Sequence, residues 1–129
     1  MARWLIDAPN VIGSRPDGWW RDRDGAARRL VDLVRAWAEA EGEDALIVLD
    51  AGPPSLAAAE RRGRGAVEVV LAPRRGRDAG DDELVRRLAA EPDAAAVTVV
   101  TSDARLAERA RALGARVTGG GGFRARLEG

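Results

Sequence analysis

Four short apolar runs in this chain end at, or lead shortly to, an aspartate. They are residues 3–7 (RWLID), 45–50 (ALIVLD), 67–72 (VEVVLA, followed by an arginine-rich stretch to Asp81) and 96–103 (AVTVVTSD). The sequence has no His, Cys or Tyr, and all 21 of its basic residues are Arg. With imidazole, thiol and amine absent, the main chemistry left is a divalent cation held by carboxylates. Crowded carboxylates cannot all stay ionised unaided, and Mg²⁺ or Mn²⁺ resolves the conflict because both prefer oxygen ligands. Such a site suits phosphodiester hydrolysis, with water activated on one side of phosphorus and the leaving oxygen stabilised on the other. The candidate metal ligands are Asp7, Asp50, Asp81 and Asp103.

Each aspartate also has a simpler reading. Asp81 sits where it can cap a helix, and Asp103, after Ser102, stands at a strand-to-helix junction where Asp is a common N-cap. Asp50 precedes Gly52-Pro53-Pro54 and can start a turn. Asp7 is the hardest to dismiss, because an ionised acid directly after an apolar strand is costly to bury without a partner. Helical phase separates the neighbouring acids. Asp81 falls on the stripe of Leu84, Val85 and Leu88, Asp82 lies about a quarter-turn away, and Glu83 lies on the far side.

These residues need a scaffold that gathers them. The runs alternate with helical patterns, which predicts an α/β fold with a mainly parallel sheet. In such sheets the carboxyl edge is the ligand-binding edge. One helix is expected over about 25–41, with Asp24 as N-cap and Gly42 as its stop. A second starts near Asp81 and ends before Pro92, and a third follows Asp103 and ends at Gly114. A last strand is expected over 116–118, a short helix over 55–62, and a mobile loop over the glycine run 119–122.

The length of 129 residues is that of one domain, 1–129. Formal net charge is zero, but its distribution is uneven. Residues 52–77 and 104–129 each hold six Arg against two Glu, while 78–103 hold seven acids against two Arg. An acidic centre between basic flanks is the pattern a metal site acting on a polyanion needs. No apolar run approaches a membrane span, and the opening residues lack a signal-peptide pattern. The expected location is therefore the cytoplasm, with no membrane partner.

The strings IDAPNVIG (6–13), IVLDAG (47–52), AGDDELV (79–85) and VVTSD (99–103) resemble the NYN domain family of PIN-like ribonucleases, in particular its YacP-like branch. The motifs are short, but their order and spacing match over nearly the whole chain. The resemblance implies a PIN-like, Rossmann-like three-layer α/β/α fold, dependence on Mg²⁺ or Mn²⁺, and RNA as substrate. It puts Asp7, Asp50, Asp81 and Asp103 on the family's acidic positions and Asn10 on its Asn, with Asp7, Asn10, Asp81 and Asp103 as the catalytic set. Ala8-Pro9 departs from the family's Gly and aromatic, which implies a stiffer loop after the first strand. Asn10 either orients a carboxylate or the scissile phosphate, or only stabilises its turn.

Arg74, Arg75 and Arg77 are expected to hold RNA phosphates, and Trp20, with Trp19, to stack on bases or to pack on the core. The expected partner is RNA, alone or within the ribosome or another RNA–protein particle, and the expected assembly a monomer or homodimer. Other nucleotide-handling folds fit less well. A receiver domain or a haloacid-dehalogenase-type phosphatase relies on a lysine this chain lacks, and no G-x-G-x-x-G follows the first strand. The rival of another class is a noncatalytic RNA-binding or assembly module on the same fold.

Overall fold

In the computed structural model, which describes residues 3–73 and 78–129, strand β1 (Arg3–Asp7) runs directly into a short helix α1 (Ala8–Ile12). Helix α2 (Arg23–Glu41), strand β2 (Asp44–Leu49), strands β3 (Ala58–Arg62) and β4 (Gly65–Leu71), and helix α3 (Ala79–Ala89) follow. The chain ends with β5 (Val97–Val100), α4 (Ala104–Ala112), β6 (Arg116–Thr118) and α5 (Gly120–Glu128). The sheet order is β3-β4-β2-β1-β5-β6, parallel throughout except for the β3–β4 hairpin. From β1 the chain builds outward to one side through β2 and β4, then returns to build β5 and β6 on the other. The direction of winding therefore reverses at β1, which opens a crevice at its carboxyl end.

Both faces of the sheet are covered. Trp4, Ile6, Ile47, Val67 and Val69 pack under α1, α2 and α5, where Trp4, Trp37 and Phe123 meet with ring centroids 5.1–5.5 Å apart. On the other face Leu5, Leu46, Val48 and Val99 pack against Leu84 and Leu88 of α3 and Leu106 and Ala110 of α4. Burial on both faces explains why β1 and β2 read as continuous apolar runs rather than alternating ones. Among the described residues, no helix is long and apolar enough to cross a membrane.

Several expected boundaries shift. Helix α2 starts at Arg23 and is capped by Asp22, whose carboxylate accepts from the Gly25 N–H at 2.9 Å, so Asp24 lies in its first turn and is not the cap. Its stop is Gly42, at φ 71°, a left-handed conformation that favours glycine. Helix α3 starts two residues before Asp81. Residues 55–62 do not form a helix: a 3-10 turn at Pro54–Leu56 leads into β3, which pairs with β4. Pairing with a neighbouring strand outweighs the helix propensity of its alanines. Ala8-Pro9 is not a loop but the first turn of α1, a position that tolerates proline because its missing N–H has no partner to lose there.

The largest revision is α5. The expected loop at 119–122 is mostly the first turn of a nine-residue helix. Glycine disfavours a helix interior by roughly 1 kcal/mol per residue, so this helix forms through docking. Phe123 is buried between α2 and β1, worth roughly 1.5–3 kcal/mol, and Arg15–Glu128 and Arg124–Asp17 ion pairs tie its later turns to the segment after α1.

Candidate active site

The site is built outward from Asp7. In the parallel register Ile6 stands beside Val100, so the next residues, Asp7 and Thr101, emerge together at the carboxyl edge. The Thr101 hydroxyl donates to Asp7 Oδ2 at 2.8 Å, and the Asp103 N–H donates to Thr101 Oγ1 at 3.1 Å. Asp103 then caps α4, with Oδ1 accepting from the Leu106 N–H at 2.9 Å. The capping reading of Asp103 thus holds, and it leaves the second carboxylate oxygen free of that bond. Asp81 lies in the first turn of α3 behind Asp78, so it is not the cap of that helix.

Asp7, Asn10, Asp50, Asp81 and Asp103 line one open cavity of about 330 Å³, joined there by Pro9, Asp78 and Gly80. Its walls come from the ends of β1 and β2 and the starts of α1, α3 and α4, the crevice at which the winding reverses. Asp82 is outside it, exposed and 3.1 Å from Arg109. Glu83 is also outside it, but it is buried: Arg86 and Arg87 fold over its carboxylate at 2.6 and 2.8 Å. Helical phase turned Glu83 away from the cavity, while the two long arginine stems cover what phase alone leaves in solvent.

The electrostatics follow from burial. Asp7 is only 7% exposed, and its pKa is raised to about 6. Desolvation is the main cause, the Asp81 and Asp103 charges add to it, and the Thr101 hydrogen bond and the nearby Asn10 backbone N–H oppose it. Asp81 is also raised, first by burial and then by Asp103 and Asp78. The carboxylates thus sense one another's charge across the cavity. Their donor set is all oxygen, which fits Mg²⁺ or Mn²⁺. Among the described residues, no three acidic side chains converge closely enough to hold an ion by themselves. A cation here would have to retain part of its water shell, as Mg²⁺ ordinarily does.

Asn10 is tied to the β5–α4 turn. Its Oδ1 accepts from the Ser102 N–H at 2.7 Å, and Ser102 Oγ accepts from the Gly120 N–H at 2.9 Å. With Oδ1 engaged, the Asn10 amide nitrogen is the end that can donate to a ligand. Gly120 is required here, since a Cβ would stand 2.6 Å from Asn10 Oδ1. Thr101, Ser102, Asp78 and Gly120 were not singled out from sequence. Thr101 and Ser102 stand in the VVTSD string, but their roles depend on the pairing of β5 with β1, which the sequence does not show.

Trp20 is 49% exposed and lies edge-on to Trp19, 5.8 Å away, outside the acidic cavity. Trp19 is half-buried against the core. Arg74, Arg75 and Arg77 lie outside the described residues. A larger hollow of about 410 Å³ lies at the amino-terminal edge of the sheet. Its carboxylates, Asp44 and Glu68 among them, face the guanidinium groups of Arg61 and Arg3 at 3.7 and 3.9 Å, so it lacks the unneutralised charge of the acidic cavity.

The model of the YacP-like NYN domain matches residues 4–128. No curated protein matches the sequence. Among solved structures, Rae1 (YacP) from Bacillus subtilis is similar at a TM-score of 0.70 and 20% identity, over 99% of this chain and 74% of that one. A mutant form of the same protein is similar at 0.72 and 18%, over 98% and 74%. At such identities the likeness shows the fold alone, a mainly parallel sheet of PIN-like type. The family match spans nearly the whole chain, and by it the chain belongs to the YacP-like NYN domain family.

Proposed function

We propose that this protein is a divalent-metal-dependent endoribonuclease whose chemistry takes place in the acidic cavity. The observation that carries the reading is Asp7, a buried carboxyl raised to about 6 by desolvation and by Asp81 and Asp103. A fold that keeps such an arrangement bears a cost that a cation would remove. Membership of a family of PIN-like nucleases supplies RNA as the substrate class.

Asp7, Asp81 and Asp103, with Asp50 at the rim, would hold Mg²⁺ or Mn²⁺. Bound there, the cation supplies positive charge to the phosphate oxygens and lowers the pKa of water. The chain's own residues do the positioning. Thr101 fixes the Asp7 carboxylate, the first turn of α4 fixes Asp103, and Ser102 fixes Asn10 with its amide nitrogen free to donate to a phosphate oxygen. Arg74, Arg75 and Arg77 are proposed to hold backbone phosphates leading to the cavity, and Trp20 to stack on an unpaired base. The substrate is RNA, presented free or within an RNA–protein particle such as the ribosome.

The test is incubation of purified protein with several RNAs, with and without Mn²⁺ or Mg²⁺. Internal cuts that need metal and disappear in Asp103→Asn support the reading. One observation favours a second reading, a noncatalytic RNA-binding module: no three acidic groups among the described residues converge on a point. Binding without cleavage across several RNAs and both metals would decide for it.

A further inference from the structure

We propose that a cleft beside Trp19 is a subsite for one pyrimidine base of the RNA strand whose backbone lies in the acidic cavity. The inference rests on the ribonuclease reading and adds a sequence preference to it. The cleft, of about 130 Å³, has an apolar floor of Ile12, Ala27 and Leu49 and one wall formed by Trp19. Pro9 and Asp50 line both this cleft and the acidic cavity, so the two adjoin. A strand with a phosphate at the carboxylates therefore has a neighbouring base within reach of the Trp19 ring.

Size and charge narrow the occupant. An apolar cavity of about 150 Å³ accommodates a benzene ring, so a cleft of this volume suits one ring better than the fused pair of a purine. Apolar walls with an aromatic side favour a flat, uncharged group that can stack. Arg23 also lines the cleft, with its guanidinium carbon 5.4 Å from the centre of the Trp19 ring. The guanidinium thus covers one face of that ring in a cation–π contact, so a base in the cleft meets the remaining ring surface, and the charge beside it suits a phosphate of the same strand. Trp20, edge-on to Trp19 and exposed, extends the aromatic surface outward for a following base of either kind. Trp19 is thus a specificity-determining residue and Trp20 a general one.

The test compares hexacytidylate with hexaadenylate, equal in charge, by fluorescence anisotropy at fixed salt, with Ca²⁺ as the neutralising cation at the carboxylates. Hexacytidylate should bind about tenfold more tightly, the worth of one well-seated base. Ala51→Leu narrows the cleft from its exposed lip, and Ala27→Val raises its floor. Each should bring hexacytidylate down to the affinity of hexaadenylate and leave hexaadenylate within about twofold. Equal affinities in the wild-type protein overturn the subsite while leaving RNA binding intact. A preference that survives in Ala51→Leu, an exposed position that carries little folding risk, overturns it as well. Failure to bind either hexamer overturns the RNA reading itself, and the subsite with it.

Discussion

Replacing Asp7 by Asn should make the metal-free protein more stable at neutral pH. Asp7 titrates at about 6 in the fold against 3.8 for an ordinary carboxyl. The folded state therefore binds the proton more tightly than the unfolded chain. The stability this supplies is fully present below the unfolded value and is lost as pH rises through the folded one. Above pH 6 the ionised group withholds about 3 kcal/mol. Asn keeps one oxygen for the Thr101 hydroxyl but turns an amide NH₂ toward the Asn10 backbone N–H, a donor facing a donor, at about 1 kcal/mol. The net gain near pH 7.5 is then about 1–2 kcal/mol. Near pH 4 the wild-type carboxyl is largely protonated and the sign reverses, with the crossing between about pH 4 and 5. Urea unfolding followed by tryptophan fluorescence, at both pH values and with EDTA, measures the difference. Mn²⁺ should then stabilise the wild type and not the variant. A variant less stable at pH 7.5, or a difference that does not change with pH, refutes the claim that Asp7 is held at a cost.

Calorimetric titration with Mn²⁺ should show affinity falling at least tenfold in Asp7→Asn and Asp103→Asn and within about twofold of wild type in Asp82→Asn, because Asp82 faces Arg109 outside the cavity; unchanged binding in both of the first two variants would remove them from the metal site. Asp103→Asn should also abolish cleavage while retaining RNA affinity in gel shifts, since Asn is an equally good N-cap and the change removes a charge that repels RNA. Arg75→Ala should weaken binding about equally across RNA sequences and lower the salt slope by about 0.7, the signature of one lost phosphate contact; a sequence-dependent loss argues for base contact instead. Gly120→Ala should reduce cleavage without changing Mn²⁺ affinity, because its Cβ would displace Asn10 from Ser102; full activity in that variant would show that the position of Asn10 is immaterial.

The parts of the fold legible in the sequence are those whose local signal and tertiary role agree. Strands β1, β2 and β5 are apolar because both faces of the sheet are covered, and α2 shows its buried face in Leu30, Val31, Val34, Trp37 and Ala38. Where the two disagree, the sequence misleads. Residues 58–62 carry alanines that favour a helix, yet their partner is β4, a long-range fact that no local window contains. The triglycine start of α5 reads as a loop because its helical state comes from Phe123 docking against Trp4 and Trp37 and not from propensity.

The acidic residues of the cavity were legible for a related reason. A carboxylate at the end of an apolar strand is costly wherever it lies, so Asp7 stands out without any knowledge of its neighbours. The groups that hold it do not stand out, because their roles exist only once the strands are in register. Thr101 looks like any strand-end threonine until Val100 is set beside Ile6, and Ser102 looks like a turn residue until α5 brings Gly120 against Asn10. Charge is visible in one dimension and positioning in three. The bond from Asn10 to Ser102 and the bond from Ser102 to Gly120 link β1, the β5–α4 turn and α5, so the glycine run that most resembled disorder is the element that orders the site.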